Sequence, residues 1–359
     1  MPSKNYKVTI TKKEKLNSHV ISVNDKMTLF RYRPINNHTI QQMLDHKLSL
    51  TRPDAFNDPY DTSFVVDVKR LATYFVDNLP RETLLDYSTK MNLNTTNLKK
   101  ISEFWIKDLY KSNQKFLREL FIVACFSEKI DNEVMWAHYS DDGKGFALEY
   151  YYNDLIKLKD YHIQFVKDIS VELLKQFPIL LDSLEDFNHQ DYSQYGIYKV
   201  IYTNSKYDGT DLLQNSIDVV IKNINNFNVT YLDLLKQYRD NNVNLYTPQN
   251  MKIMSDTIVF TKKKAWSYEK EWRMLLPNLL IDFANIQKQH YIVDLEIRPK
   301  AVYLGEFAEI STKVIIYNYC YTNGIQLFQM FSDLDNKTYR LNKREIKKDQ
   351  MLKFLNEAK

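Results

Sequence analysis

The stretch FIVACFSE, residues 121–128, restricts the fold of this chain more than any other feature. It is apolar and β-rich without polar alternation as far as Ser127, the pattern of a strand buried on both faces. Such a strand calls for a sheet with layers over it.

The flanking pattern agrees with mixed layers of helix and sheet. From Met27, MTLFRYRP alternates like a strand and stops at Pro34, followed by an amphipathic helix near 39–46 and a short strand LSL. After FIVACFSE, Asp131 or Asn132 caps a helix over DNEVMWAHY, and Gly143 and Gly145 break the chain before a strand in KGFALEYYY. The last third reads as a helix near 249–262, the segment AWSYEKEWRMLLP, strands in YIVDLEI and KAVYLGE, a helix in STKVIIYNYC and a strand IQLFQMF. The charged tail LNKREIKKDQMLKFLNEAK reads as a surface or terminal helix.

Two stretches interrupt this core. Residues 66–120 carry apolar residues at helical spacing and form a helical insertion. Residues 154–246 form a second, mostly helical insertion with candidate strands at HIQFVKD and YGIYKVIYT. The fold class expected is α+β: a mixed β-sheet core in one elaborated domain over residues 1–359.

At 359 residues, 44% hydrophobic and 26% charged, the chain has enough apolar surface for a sizeable core, which excludes a disordered protein. A net charge of +4 against 49 basic and 45 acidic residues gives no vote for nucleic acid. The two cysteines, Cys125 and Cys320, lie in apolar stretches and exclude a disulfide framework or a cysteine-rich zinc site. No apolar run suits a secretory signal or a membrane span, so the expected location is cytoplasmic, without membrane association.

Four short segments concentrate the chemistry-bearing residues: FRYRP, FNDPYD, ACFSE followed by MWAHYSDDGKGFALEY, and WSYEKEWRML. Arg31 and Arg33 fall on one strand face, where either guanidinium suits a phosphate or pyrophosphate, while a structural pairing of Arg33 with Asp58 or Asp61 fits equally well. Asn57, Asp58 and Pro59 suit a structured turn as well as a ligand loop. Ser127 lacks a G-x-S-x-G elbow and a paired histidine, against serine hydrolase chemistry. Trp136 and Tyr139 share a helix face while His138 points elsewhere, as a candidate proton carrier. Written as a strand, SYEKEWR puts Glu269, Glu271 and Arg273 on one face. A salt bridge from Glu271 to Arg273 or Arg33 accounts for the same residues. No Walker, dinucleotide-loop or zinc signature occurs, and no metal ligand set stands out.

In order and content these segments resemble domain of unknown function family 2971. Glu-x-Glu late in the chain, with an early arginine and a serine at a middle strand edge, is further similar to the arginine, serine, glutamate order of ADP-ribosyltransferases. That analogy implies an ADP-ribosyltransferase-like core with Glu271, Glu269 and Ser127 in catalytic positions and NAD as substrate. Arg31, Arg33, Tyr32, Asn57, Asp58, Asp61, His138, Tyr139 and Arg273 would then bind the cofactor. It also implies a bacterial defence or toxin effector with a protein or nucleic-acid target and a defence-system partner protein. Two other classes stay open: a metal-dependent nuclease using Asp58, Asp61, Glu128, Glu269 and Glu271, and a non-catalytic sensor or interaction protein.

Overall fold

The computed structural model describes residues 26–82, 84–85, 94–119, 121–176, 196–224, 258–278, 290–293, 295–333 and 340–357. Along the chain the strands are β1 Thr28–Arg33, β2 Leu48–Thr51, β3 Phe64–Val65, β4 Phe121–Ser127, β5 Phe146–Tyr151, β6 Gly196–Lys199 and β7 Ile201–Thr203. They continue as β8 Tyr207–Asp208, β9 Thr261–Lys263, β10 Glu271–Pro277, β11 His290–Val293, β12 Ala301–Leu304, β13 Gln326–Phe331 and β14 Asn342–Ile346. The helices are α1 Asn37–Leu44, α2 Val68–Asp77, α3 Thr95–Glu119, α4 Glu133–Tyr139, α5 Tyr152–Gln176, α6 Thr210–Ile224, α7 Ile310–Asn323 and α8 Lys348–Glu357. The protein is α+β, with a mixed sheet at its centre.

The apolar run FIVACFSE, as strand β4, is the hub. A strand has two edges, and β10 pairs with one edge of β4 along its whole length, from Glu271↔Ser127 to Pro277↔Phe121. The other edge is shared: β2 meets it at Thr51↔Val123 and β1 at Phe30↔Ser127. The sheet therefore forks at β4. One wing runs β6, β10, β4, β2, β11, and the other runs β1, β5, β12, β13, β14. Most neighbours are antiparallel; β12 and β13 are parallel, joined over the sheet by α7.

One face of β4 presents Ile122, Ala124 and Phe126 to the main core with Leu29, Leu48, Leu50, Trp272, Met274, Ile316 and Cys320. The other presents Phe121 and Val123 to a second cluster with Leu117, Ile258, Phe260 and Leu275. Burial on both sides is what the unbroken apolar run demanded. Gly305 is required where the strand ends meet, since a Cβ there would lie 2.1 Å from the Gly143 carbonyl oxygen.

The region 66–120 is helical where described, with α2 packed on α3. Three expectations change and one holds. HIQFVKD lies within helix α5, because its residues also fit a helical stripe: His162 and Ile163 are buried seven and eight residues beyond the buried Leu155, with Leu158 buried between them. YGIYKVIYT does form β6 and β7, and β6 joins the main sheet beside β10. Of the helix expected near 249–262, residues 249–257 lie outside the described residues, and Thr261–Lys263 form a strand paired with β7. The tail contributes β14 against β13 before its helix begins at Lys348. Among the described residues no helix is long and apolar enough to cross a membrane.

Candidate functional site

Strand pairing creates the first part of the site. Because cross-strand partners share a face, the register of β4 with β10 places Cys125 and Ser127 beside Glu271 and Arg273. Arg273 is completely buried and cannot shed its charge, so it needs fixed acceptors. Asp61 supplies a two-pronged pair, Nη1 to Oδ1 at 2.9 Å and Nη2 to Oδ2 at 2.6 Å. Glu271 takes Nε at 2.8 Å and Nη2 at 3.2 Å, and the Val259 carbonyl accepts from Nη1 as well.

Asp61 reaches this position because its loop is held from outside. The Tyr60 amide donates to the Asp58 carboxylate at 2.9 Å, and Arg118 donates to the carbonyls of Pro59 and Asp61, both at 2.8 Å. Asp58 is thus spent on its own turn, while Asp61 enters the cluster.

Glu269 does not stand on the strand. Residues Lys264–Glu269 form a 3-10 turn, and Lys270 takes the left-handed conformation at φ 47°. That single residue turns the chain so that Glu269 and Glu271 face the same cation, Lys262 on β9. Its Nζ donates to Glu269 Oε2 at 2.6 Å and to Glu271 Oε2 at 3.2 Å, and lies 3.7 Å from Asp61 Oδ2. The Trp266 ring covers Lys262 with its centroid 5.0 Å from Nζ. Helix α4, capped by Asn132, brings Tyr139, whose hydroxyl donates to Glu269 Oε1 at 2.5 Å and accepts from Asn57 Nδ2 at 3.1 Å. Asn132 also donates to the Tyr268 carbonyl at 2.7 Å, tying α4 to the 3-10 turn.

The result is a polar path from the exposed Asn57 through Tyr139, Glu269, Lys262 and Glu271 to the fully buried Arg273. Three carboxylates, Asp61, Glu269 and Glu271, face two cations, Lys262 and Arg273, leaving one negative charge in excess when all are ionised. The two glutamates divide accordingly. For Glu269, burial and the neighbouring Glu271 raise the pKa to about 7 in spite of Lys262 and Tyr139. For Glu271, burial is outweighed by Arg273 and Lys262, which hold it at about 2. Burial also raises the Tyr139 hydroxyl, with Glu269 adding to it. The Cys125 thiol, beside Glu271, is pushed up by burial, which removes it as a nucleophile at neutral pH.

Residues 135–274 match the model of a family described as Protein of unknown function (DUF2971). Nothing among curated proteins or solved structures matches the chain. The DUF2971 region contains Tyr139, Lys262, Glu269, Glu271 and Arg273, whereas Asn57, Asp61 and both early arginines precede it.

Not every residue singled out in sequence joins the cluster. Asn57, Asp61, Tyr139, Glu269, Glu271 and Arg273 do, and Ser127 borders it by donating to the Glu269 carbonyl at 2.6 Å. His138 stands on the rim, 3.1 Å from the Tyr268 hydroxyl. Tyr32 donates to the Lys129 carbonyl at 2.7 Å and packs edge-on against Trp136. Glu128 holds Lys199 and the Trp272 indole instead. The convergence expected for Arg31 and Arg33 does not occur. Phe30 pairs with Ser127 and shares the face of Glu271, so the next residue and the one two beyond it point to the opposite face. Lys262 was missed, because a lysine in an apparent helix carries no signal until its strand is paired.

Proposed function

We propose that the Glu269 end of this cluster is a catalytic site for cleaving the glycosidic bond of NAD, as an ADP-ribosyltransferase or NAD glycohydrolase. The observation that carries the reading is the Glu269 carboxyl, buried, hydrogen-bonded to Tyr139 at 2.5 Å and poised at about 7. When the ribose C1′–N bond breaks, its electron pair leaves with neutral nicotinamide and positive charge develops on the ribosyl ring. The ionised Glu269 carboxylate beside that ring stabilises the charge, the attacking water or target nucleophile forms the new bond to C1′, and its proton passes to that carboxylate. Asn57 and Tyr139 lead from the surface to that carboxyl, and Trp266, Tyr268 and His138 supply flat faces beside it.

Glu269 takes the place that the Glu-x-Glu analogy gave to Glu271, because two cations, Arg273 and Lys262, hold Glu271 at about 2, whereas Glu269, with one cation and the Tyr139 hydroxyl, is poised at about 7. Arg31 and Arg33 have no part in this reading. Of the carboxylates a metal nuclease would use, Asp58 is engaged by its own turn and Glu128 by Lys199 and the Trp272 indole, which speaks for the glycosidic reading over five ligands at one point. The bacterial defence or toxin role and the macromolecular target belong to the proposal through the resemblance alone.

The test is nicotinamide release from labelled NAD by the purified chain, with cell lysate as a source of acceptors. Release should rise with pH through about 7, vanish in Glu269→Gln and fall roughly 10- to 100-fold in Tyr139→Phe. Absence of turnover together with absence of any NAD-dependent thermal shift overturns the reading in favour of a nuclease or a binding protein.

A further inference from the structure

The fork in the sheet creates a second concentration of charge. Arg31 and Arg33 lie on the β1 face that carries Leu29, opposite the carboxylate cluster, among Phe126, Phe146, Leu148 and Tyr150 of the main core. Arg31 is 8% exposed; its guanidinium lies 5.9 Å from the Phe126 ring centroid, and Nη2 crosses the fork to Ser49 Oγ on β2 at 3.2 Å. Arg33, partly exposed, donates to Gln42 Oε1 on α1 at 2.6 Å. Both hydrogen-bond partners are neutral. Among the described residues neither arginine forms an ion pair, and the carboxylate of Glu149 on β5 serves the other face, where it accepts from Thr28, Lys300 and Tyr303.

Two guanidiniums two residues apart on a strand repel one another, and burial removes the water that would screen them. Each presents five N–H donors, of which one is used by Ser49 and one by Gln42. The titratable groups nearest in charge are the Tyr150 phenol and, across β4 at the fork, the Cys125 thiol, both protonated at neutral pH, so neither supplies a counter-charge. What fits is a compact anion with several acceptor oxygens, entering beside Arg33 and Gln42, which are partly exposed while Arg31 is buried.

We propose that Arg31 and Arg33 bind a phosphate group on the face of the sheet opposite Glu269. Planar guanidinium forks match the oxygens of a phosphate, whose two negative charges balance the pair. This site stands whether or not the Glu269 cluster acts on NAD.

The experiment is calorimetric titration and thermal unfolding of the full chain with inorganic phosphate, pyrophosphate and ADP at constant ionic strength, with chloride as control. Saturable binding is expected, weakened at least about tenfold in Arg33→Gln, partly retained in Arg33→Lys, and unchanged in Glu269→Gln. Tightest binding of inorganic phosphate identifies a free anion, and tighter binding of ADP identifies a nucleotide phosphate. Arg31→Lys keeps the charge while disturbing the fork geometry and covers the case in which Arg31→Gln does not fold. The proposal is overturned if none of the three anions binds saturably, or if binding persists undiminished in both Arg33→Gln and Arg31→Lys.

Discussion

Arg273 and Arg31 are guanidiniums buried against the same strand, β4, and their surroundings treat them oppositely. Arg273 has Asp61 and Glu271 on three of its nitrogens, and its pKa is raised although burial acts to lower it. Arg31 has a serine hydroxyl and an aromatic ring, and burial leaves its pKa lowered. Arg33, beside it, falls to about 9 through burial and the charge of Arg31. In the first region the cation holds the fold together and its counter-charges are internal. In the second the protein retains an unbalanced pair, an arrangement that stability alone does not favour. Buried charge by itself therefore does not distinguish a structural cluster from a binding site; the identity of the partners does.

The largest expected effect breaks the balanced side. Arg273→Met leaves Asp61 and Glu271 buried without their partner and should destabilise the protein by about 3–5 kcal/mol in urea unfolding. Asp61→Asn should approach this cost, and the double variant should cost less than the sum of the two. Additive losses would mean that the two side chains are not coupled.

Next comes pH, which separates the two glutamates. A carboxyl raised in the folded state contributes stability below its unfolded value, and that contribution is lost as pH climbs. For Glu269 the window runs from about 4.5 to about 7, with a loss of at most about 3 kcal/mol that Glu269→Gln should flatten. Glu271 has the opposite sign. Its contribution is present above about 4.5 and is lost as pH falls toward 2, so Glu271→Gln should flatten the acid limb and, by removing the charge that helps to raise Glu269, narrow the Glu269 window as well. Denaturant unfolding across pH 2–8 measures both, and an unaltered profile in either variant removes that assignment.

The smallest effect lies on the unbalanced side. In phosphate-free buffer Arg33→Gln should cost less than about 1 kcal/mol, because it removes a like charge along with one hydrogen bond. A loss as large as that of Arg273→Met would erase the distinction between the two regions.

Much of this architecture is visible in the chain before it folds. FIVACFSE is a hub strand because only a strand covered on both faces tolerates such a run. Pro34 and Asn36 bound α1, and Asn132 caps α4, through chemistry confined to a few neighbouring residues. The motif segments likewise identified Asp61, Tyr139, Glu269, Glu271 and Arg273. Their division of labour was not visible, since it depends on which oxygen meets which cation. HIQFVKD failed as a strand because a short apolar pattern fits both periods. Lys262 escaped because its role comes from β9 pairing with β7, residues far removed in sequence.

The sequence by itself determined the periodicities, the caps and turns, and the residue types able to carry charge. Tertiary structure alone decided that β1 and β2 share one edge of β4, that Lys270 turns Glu269 onto Lys262, and that Arg31 and Arg33 face away from the carboxylates. The physical reason is range. Backbone preferences and side-chain alternation act over a few residues, whereas the energy of a buried charge depends on whatever distant strand is brought within about 3–4 Å of it.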